Sequence, residues 1–162
     1  AETAEPFRSL INPDNALFAN PDDMENAIRK YCMDTNQPVP ETRGQIVRCI
    51  FESLALRYRQ VLDDLRGLAS QPIETLHVIG GGSRNELLNQ FTANAVGIPV
   101  VAGPSEATAL GNVMMQAMAI GEAADVPGMR KLIHNSIPLK TYQPQNMENW
   151  GQAYIHFKNI VS

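Results

Sequence analysis

The sequence predicts a helix-rich α/β domain with two parallel strands, and three observations support this fold class. Two short apolar runs, residues 75–79 and 98–102, have the length and composition of buried strands. An amphipathic segment with helical spacing joins them, so the strands should lie parallel with a right-handed crossover. Two strands leave apolar edges without neighbours. We therefore expect a partial sheet whose opening strands are missing from this sequence.

The first 72 residues predict a lead-in loop and two helices. Residues 1–20 are rich in Pro, Asn and Asp and should form an irregular lead-in loop. Asn20 and Pro21 suit the start of a helix, since Asn caps and Pro fits the first turn. Thr42 and Gln45 have the spacing of a capping box and open a longer helix, which Pro72 ends. Its apolar residues recur every three or four positions and should face the core: Val47, Ile50, Phe51, Leu54, Tyr58, Val61, Leu62, Leu65 and Leu68.

The second half of the chain predicts four further helices around the two strands. One helix runs from about Asn85 to a terminating Gly97. Another opens at Ser105 or Glu106, turns an apolar face inward and closes at Gly121. A shorter helix is expected over about 127–134, then an extended piece at 139–142 and a last amphipathic helix that carries Trp150.

Composition and charge exclude several classes of function. The 162 residues have a net charge of −4 without a basic cluster, which argues against nucleic-acid binding. No apolar run approaches the ~20 residues that span a bilayer, and the N-terminus has no secretory signal pattern. Cys32 and Cys49 should be buried reduced thiols, in agreement with a cytoplasmic protein. None of the three histidines has a partner at metal-ligand spacing, so no metal site is predicted.

The glycine run after the first strand is the candidate binding element. Glycine permits positive φ and removes the Cβ that would block a ligand, so backbone amides can approach a phosphate. The helix that follows adds free N–H groups and the positive end of its dipole. The run Gly80–Gly82 matches neither the dinucleotide fingerprint nor the Walker loop. A tight strand-to-helix turn without a ligand therefore remains an alternative on the residues alone.

Two motifs in residues 76–112 resemble the FGGY carbohydrate kinases. The first is the triple glycine with Asn85 behind it, and the second is the segment 106–111, EATALG, which opens the next helix. The similarity extends through residues 10–24 and 48–58 and so covers most of the chain. The resemblance implies the actin-like ATPase fold, which is ribonuclease H-like, with residues 1–162 as the C-terminal part of the nucleotide-binding C-terminal domain.

The resemblance also implies a role for each residue of the turn. Gly81 and Asn85 are the first candidates for nucleotide contact, Gly82 and Ser83 come next, and Gly80 serves the turn itself. The segment 106–111 should line or support the same pocket, with Gly111 allowing close helix packing. The cofactors implied are ATP or ADP with Mg²⁺, the metal being held mainly through the phosphates and an N-terminal domain.

The catalytic Asp and the phosphate loop of this family have no counterpart in the sequence. The resemblance implies a kinase that phosphorylates L-rhamnulose as the longer protein, with the sugar bound through the missing domain. We expect this chain alone to be inactive and to bind nucleotide weakly, and its exposed sheet edge to favour a homodimer. Two alternatives stay open: a kinase of the same family for xylulose or glycerol, and a non-catalytic actin-like sugar-sensing regulator.

Overall fold

A small three-stranded sheet lies among six helices in the computed structural model, which describes residues 1–122, 125–136 and 139–161. The strands are β1 (Leu76–Val78), β2 (Val100–Ala102) and β3 (Lys140–Tyr142), and β2 is central. The helices described are α1 (Met24–Asp34), α2 (Arg43–Leu68), α3 (Glu86–Val96), α4 (Ala107–Ala119), α5 (Val126–Ser136) and α6 (Met147–Val161).

The parallel pair of strands predicted from the sequence is confirmed. Leu76 of β1 lies opposite Val100 of β2, and the α3 crossover connects them. The prediction of two strands was nevertheless incomplete, because the piece expected only to be extended forms β3, antiparallel to β2. Tyr142 lies opposite Val100 and is buried in the same cluster. A three-residue strand has too little periodicity to be recognised without its partner.

Local capping signals set most helix boundaries. The capping box of Thr42 and Gln45 is present, and Gly97 ends α3 in the left-handed conformation with φ 72°. The predicted start of α1 was wrong by three residues, since Asp23 and not Asn20 caps it. The Asp23 carboxylate accepts hydrogen bonds from the Asn26 backbone N–H at 3.0 Å and from the Asn26 side chain at 2.9 Å. Residues 1–20 contain one short 3₁₀ turn, Ala16–Phe18.

Two apolar clusters join the helices. The larger one lies between α2, α3 and α6 and includes Leu56, Phe91 and Phe157. A second cluster lies between α1, the first half of α2 and the lead-in residues, and it contains Cys32 and Cys49. Both cysteines are free and buried, as predicted. None of the helices in the described ranges is long and apolar enough to cross a membrane.

Two predicted core faces are exposed. The stripe predicted on α2 was wrong in position, because only Leu62 of its residues is buried. The rest of the buried face consists of Ile46, Cys49, Glu52, Ser53, Ala55 and Leu56. Tyr58, Val61 and Leu65 are between 42% and 50% exposed. These three side chains, with Leu76 and Val78 of β1, line an open apolar groove along the free edge of the sheet. On α4, all of whose residues the structure describes, none is buried. The periodicity thus identified apolar residues on both helices, but it did not identify which residues other elements cover in the part of the chain that the structure describes.

Candidate functional site

The glycine turn begins where β1 ends, and Gly80 makes it possible. Gly80 has φ 79° and ψ −165°, a conformation that a residue with a Cβ rarely adopts. Its N–H donates to the Pro104 carbonyl at 3.2 Å, while the Gly103 N–H donates to the Val78 carbonyl at 2.8 Å. These two bonds fasten the turn to the loop that follows β2. The backbone path therefore requires a glycine at Gly80.

Gly81 and Gly82 have no such internal requirement. Neither has a positive φ, and a Cβ built on either residue meets no atom within 4 Å. Among the described residues, their backbone N–H groups donate no hydrogen bond. Two amides at the end of a strand are therefore left without a hydrogen-bond acceptor among the described residues. This arrangement suits an acceptor supplied from outside the chain.

Ser83 is hydrogen-bonded within the turn. Its backbone N–H and its Oγ both donate to the Gly80 carbonyl, at 3.1 and 2.8 Å, and the residue is buried. Its own carbonyl accepts a hydrogen bond from the Asn89 side chain. The Ser83 hydroxyl thus closes the short 3₁₀ turn Gly81–Arg84.

Asn85 is the N-cap of α3. Its Oδ1 accepts from the Leu88 N–H at 3.1 Å, which satisfies one of the free donors of the first turn. The capping bond uses the amide oxygen and leaves the Nδ2 group as the donor for any outside partner. Asn85 therefore lies beside the bare glycine amides with one half of its amide engaged.

A shallow cleft opens between the end of the turn, at Ser83 and Arg84, and the loop after β2, and Gly81, Gly82 and Asn85 are not among the residues that line it. Arg84 reaches across to this loop, with Nη2 at 2.8 Å from Ser105 Oγ and 3.7 Å from a Glu106 oxygen. On the other side, Lys140 Nζ lies 2.7 Å from Glu86, and this hydrogen bond raises the pKa of the lysine. The cleft has a volume of about 260 Å³. Pockets that enclose small ligands measure roughly 300–1,000 Å³, so the described residues form only part of such a pocket.

The segment 106–111 contributes less to the cleft than predicted. Ser105 lines it and Glu106 approaches it through Arg84, but residues 107–111 are not among those that line it. A Cβ on Gly111 meets no atom within 4 Å, so the close packing expected at this glycine is not made by any described residue.

Three side chains at the site were missed by the sequence reasoning. Arg84 and Lys140 reach the cleft from separate elements, and Asn89 holds the turn from below. The position of Asn89 gave a usable signal, because an amide lies among the apolar positions of α3. No sequence signal indicated Lys140, since this residue reaches the cleft only through the pairing of β3 with β2.

The family of the chain follows from its match to a family model. Residues 1–120 match the model described as the FGGY family of carbohydrate kinases, C-terminal domain. This chain belongs to the FGGY carbohydrate kinase family. The glycine turn and the segment 106–111 lie inside the matched residues, so the predicted resemblance is confirmed.

Two curated relatives match nearly the whole chain. Rhamnulokinase from Bacteroides thetaiotaomicron is 77% identical over 161 residues, which is 99% of this chain and 33% of the relative. Rhamnulokinase from Pectobacterium carotovorum is 49% identical over 154 residues, which is 95% of this chain and 31% of the relative. The chain thus spans about a third of the length of these relatives.

A solved kinase structure shares the fold. The crystal structure of xylulose kinase from Rhodospirillum rubrum superimposes with a TM-score of 0.59 at 19% identity. The match covers 76% of this chain and 25% of that protein. The predicted actin-like fold is confirmed, with the third strand added to it.

Proposed function

We propose that this chain forms the nucleotide side of an ATP-dependent sugar kinase that converts L-rhamnulose to L-rhamnulose 1-phosphate in L-rhamnose breakdown. The observation that carries the proposal is the pair of bare amides at Gly81 and Gly82, which the chain itself neither needs nor uses. Membership of a kinase family supplies the reaction class. The relatives named rhamnulokinase support the choice of sugar.

In this proposal the turn receives the adenosine and α-phosphate end of ATP. The Gly81 and Gly82 N–H groups donate to phosphate oxygens, and the absence of both Cβ atoms leaves room for the ligand. Asn85 offers its Nδ2 to the ribose or the base, while Ser83 and Gly80 hold the shape of the turn. No catalytic residue is assigned to this chain, because phosphoryl transfer also needs a base and a metal site.

Mg²⁺ is proposed to bind outside the described residues. In the part of the chain that the structure describes, no group of three His, Cys, Asp or Glu side chains lies together. The turn supplies N–H donors, whereas Mg²⁺ requires oxygen ligands. The phosphates and the rest of the longer protein are therefore the proposed ligands, and the ion would neutralise charge on the transferred phosphoryl group.

The free edge of the sheet is proposed to be covered in the longer protein. The groove along β1 and the second half of α2 exposes Tyr58, Val61 and Leu65 beside an unpaired strand edge. Further chain, as in relatives three times as long, is the favoured cover, and a second copy of this chain is the alternative. With half of the site absent, the 162-residue chain alone should be inactive and bind ATP weakly. We propose a cytoplasmic location, in agreement with two buried free thiols.

A kinase assay of the full-length gene product with a Gly81→Ala variant tests this proposal. L-rhamnulose should be the preferred acceptor over xylulose and glycerol. In Gly81→Ala the added methyl group meets no protein atom, so folding should be unchanged. The methyl group should keep the phosphate from approaching the backbone amides. The hydrogen bonds to the charged phosphate are then lost, and the KM for ATP should rise by about tenfold or more.

The matched control is Gly67→Ala, at another glycine with open space around it, on α2. It should leave the KM for ATP unchanged. Equal kinetics in wild type and Gly81→Ala would remove the turn from the nucleotide site. Preferred turnover of xylulose or glycerol would reassign the sugar, and the absence of any kinase activity would favour a regulator.

A further inference from the structure

Among the described residues, one side chain from outside the glycine turn is hydrogen-bonded to the backbone of the turn. It is a buried amide on α3. Asn89 is 1% exposed, and its Nδ2 donates to the Ser83 carbonyl at 2.9 Å. Burial of an amide is unfavourable unless it is hydrogen-bonded, so an apolar side chain would suit this site better if packing were its only role. The bond therefore has a use beyond filling the core.

The hydrogen bond matters because of the residues that lie next to Ser83. Gly81 and Gly82 have no side chain that packs against the protein, and their N–H groups are not paired within the described residues. Glycine also has the widest backbone freedom of any residue. The orientation of these two amides therefore depends on the residues at each end of the turn. Gly80 is fixed to the Pro104 carbonyl, and Ser83 is fixed to Gly80 and to Asn89.

We propose that Asn89 is a positioning residue for nucleotide binding and acts through the Ser83 carbonyl. The proposal rests on the proposed function of the glycine turn. Fixing the Ser83 peptide keeps the short 3₁₀ turn in one conformation, so the Gly81 and Gly82 amides are oriented before ATP arrives. Preorganised donors bind more tightly than donors that must be ordered on binding. Asn89 itself does not touch the nucleotide.

The test replaces Asn89 in the full-length gene product with Leu, which has a similar volume and no donor. The KM for ATP should rise about fivefold to tenfold, because the turn loses a buried hydrogen bond. The KM for L-rhamnulose and kcat at saturating ATP should change less than about twofold, since no bond to the reacting atoms is removed. The Asn89→Asp variant, which also removes the donor, serves if Asn89→Leu does not fold.

Asn94→Leu is the matched control. Asn94 is a buried amide on the same helix, and its Oδ1 accepts from the Gln90 side chain and the Gln145 N–H, both at 2.8 Å. Its loss should lower the melting temperature to a similar extent and leave the KM for ATP unchanged. Equal rises in both variants would show a general loss of stability and would overturn the proposal.

Hydrogen exchange gives a readout that does not depend on turnover. In full-length Asn89→Asp without nucleotide, peptides that cover residues 80–85 should exchange about tenfold faster, and peptides from the rest of α3 should not. Unchanged exchange in the turn would contradict the inference. The Gly81→Ala variant distinguishes a failure of the role inferred for Asn89 from a failure of the proposed function of the turn. If it raises the KM for ATP and Asn89→Leu does not, only the role of Asn89 fails; if it has no effect, the proposed function of the turn fails.

Discussion

The two helices that follow the parallel strands differ sharply in how the chain covers them. Helix α3, after β1, has seven buried residues among eleven and packs on α2, α6 and the sheet. Helix α4, after β2, has thirteen residues, a largely apolar sequence and no buried residue. The two helices have the same place in a strand–helix repeat, yet only α3 is covered by other elements among the described residues. An apolar pattern thus shows which face needs a cover, and it does not show where the cover comes from.

Truncating one apolar residue on each of these two helices should give the largest difference in the free energy of unfolding. Phe91→Ala should lower the free energy of unfolding by about 3–5 kcal/mol, because the ring is buried against Trp150 in the main core. Val113→Ala on α4 should change it by less than about 0.5 kcal/mol, since Val113 is 56% exposed. Urea denaturation of both variants of this 162-residue chain measures the contrast. Similar losses would mean that α4 is covered in solution, for instance by a second copy.

Buried charge provides a second contrast between the regions. In the closed region, Glu52 is 1% exposed, lies 2.7 Å from Arg48 and accepts the Phe7 N–H at 2.8 Å. Near α4, by contrast, the Arg84–Glu106 pair is largely exposed and screened.

The pH dependence of stability should follow from Glu52. Burial raises the pKa of its carboxyl above its usual value of 4.5, against the lowering effect of Arg48 and the Phe7 N–H. Because the pKa of Glu52 is higher in the folded than in the unfolded protein, the protonated carboxyl favours folding. The contribution of Glu52 to the free energy of unfolding is therefore present below about pH 4.5 and is lost as the pH rises through the folded pKa. Glu52→Gln, which retains an oxygen for Phe7, should lack that decline. Parallel urea midpoints against pH for both proteins would contradict this origin.

The smallest expected effect concerns Gly111 in the middle of α4. Gly111→Ala should stabilise the 162-residue chain by about 0.5–1 kcal/mol, because alanine favours the helix and its methyl group meets open space. In the full-length gene product the same substitution should lower the stability or the kinase activity of the protein if another element packs closely against Gly111. Equal stabilisation in both backgrounds would show that this face stays open.

Local signals in the sequence were enough to place most elements and the turn. The capping box at Thr42 and the end of α3 at Gly97 each depend on residues within four positions, and both are found. Helix α3 begins at Glu86, next to the Asn85 predicted to start it. The start of α1 was misplaced because Asn20 and Asp23 are both good caps and only the fold selects between them. The two parallel strands were identified by their apolar runs between helices.

The remaining features depend on contacts between distant residues. The pairing of β3 with β2 joins residues about 40 positions apart, and no pattern within either segment indicates it. Arg84 and Lys140 reach the cleft in the same way, through separate elements. The exposure of Tyr58 and Leu65 on α2 was not predictable either, because periodicity is the same whether or not a face is covered. The nucleotide roles of Gly81 and Asn85 remain predictions, supported by geometry and family.

The packing of Trp150 has a practical consequence. It is the single tryptophan in the 162 residues, it is 4% exposed, and its ring centroid lies 4.8 Å from that of Phe7 and 5.3 Å from that of Phe91. Phe7 belongs to the lead-in loop and Phe91 to α3, so one indole touches both the beginning of the chain and the helix behind the glycine turn. Its fluorescence is therefore a built-in optical probe for whether these two segments have docked on α6, without any added label.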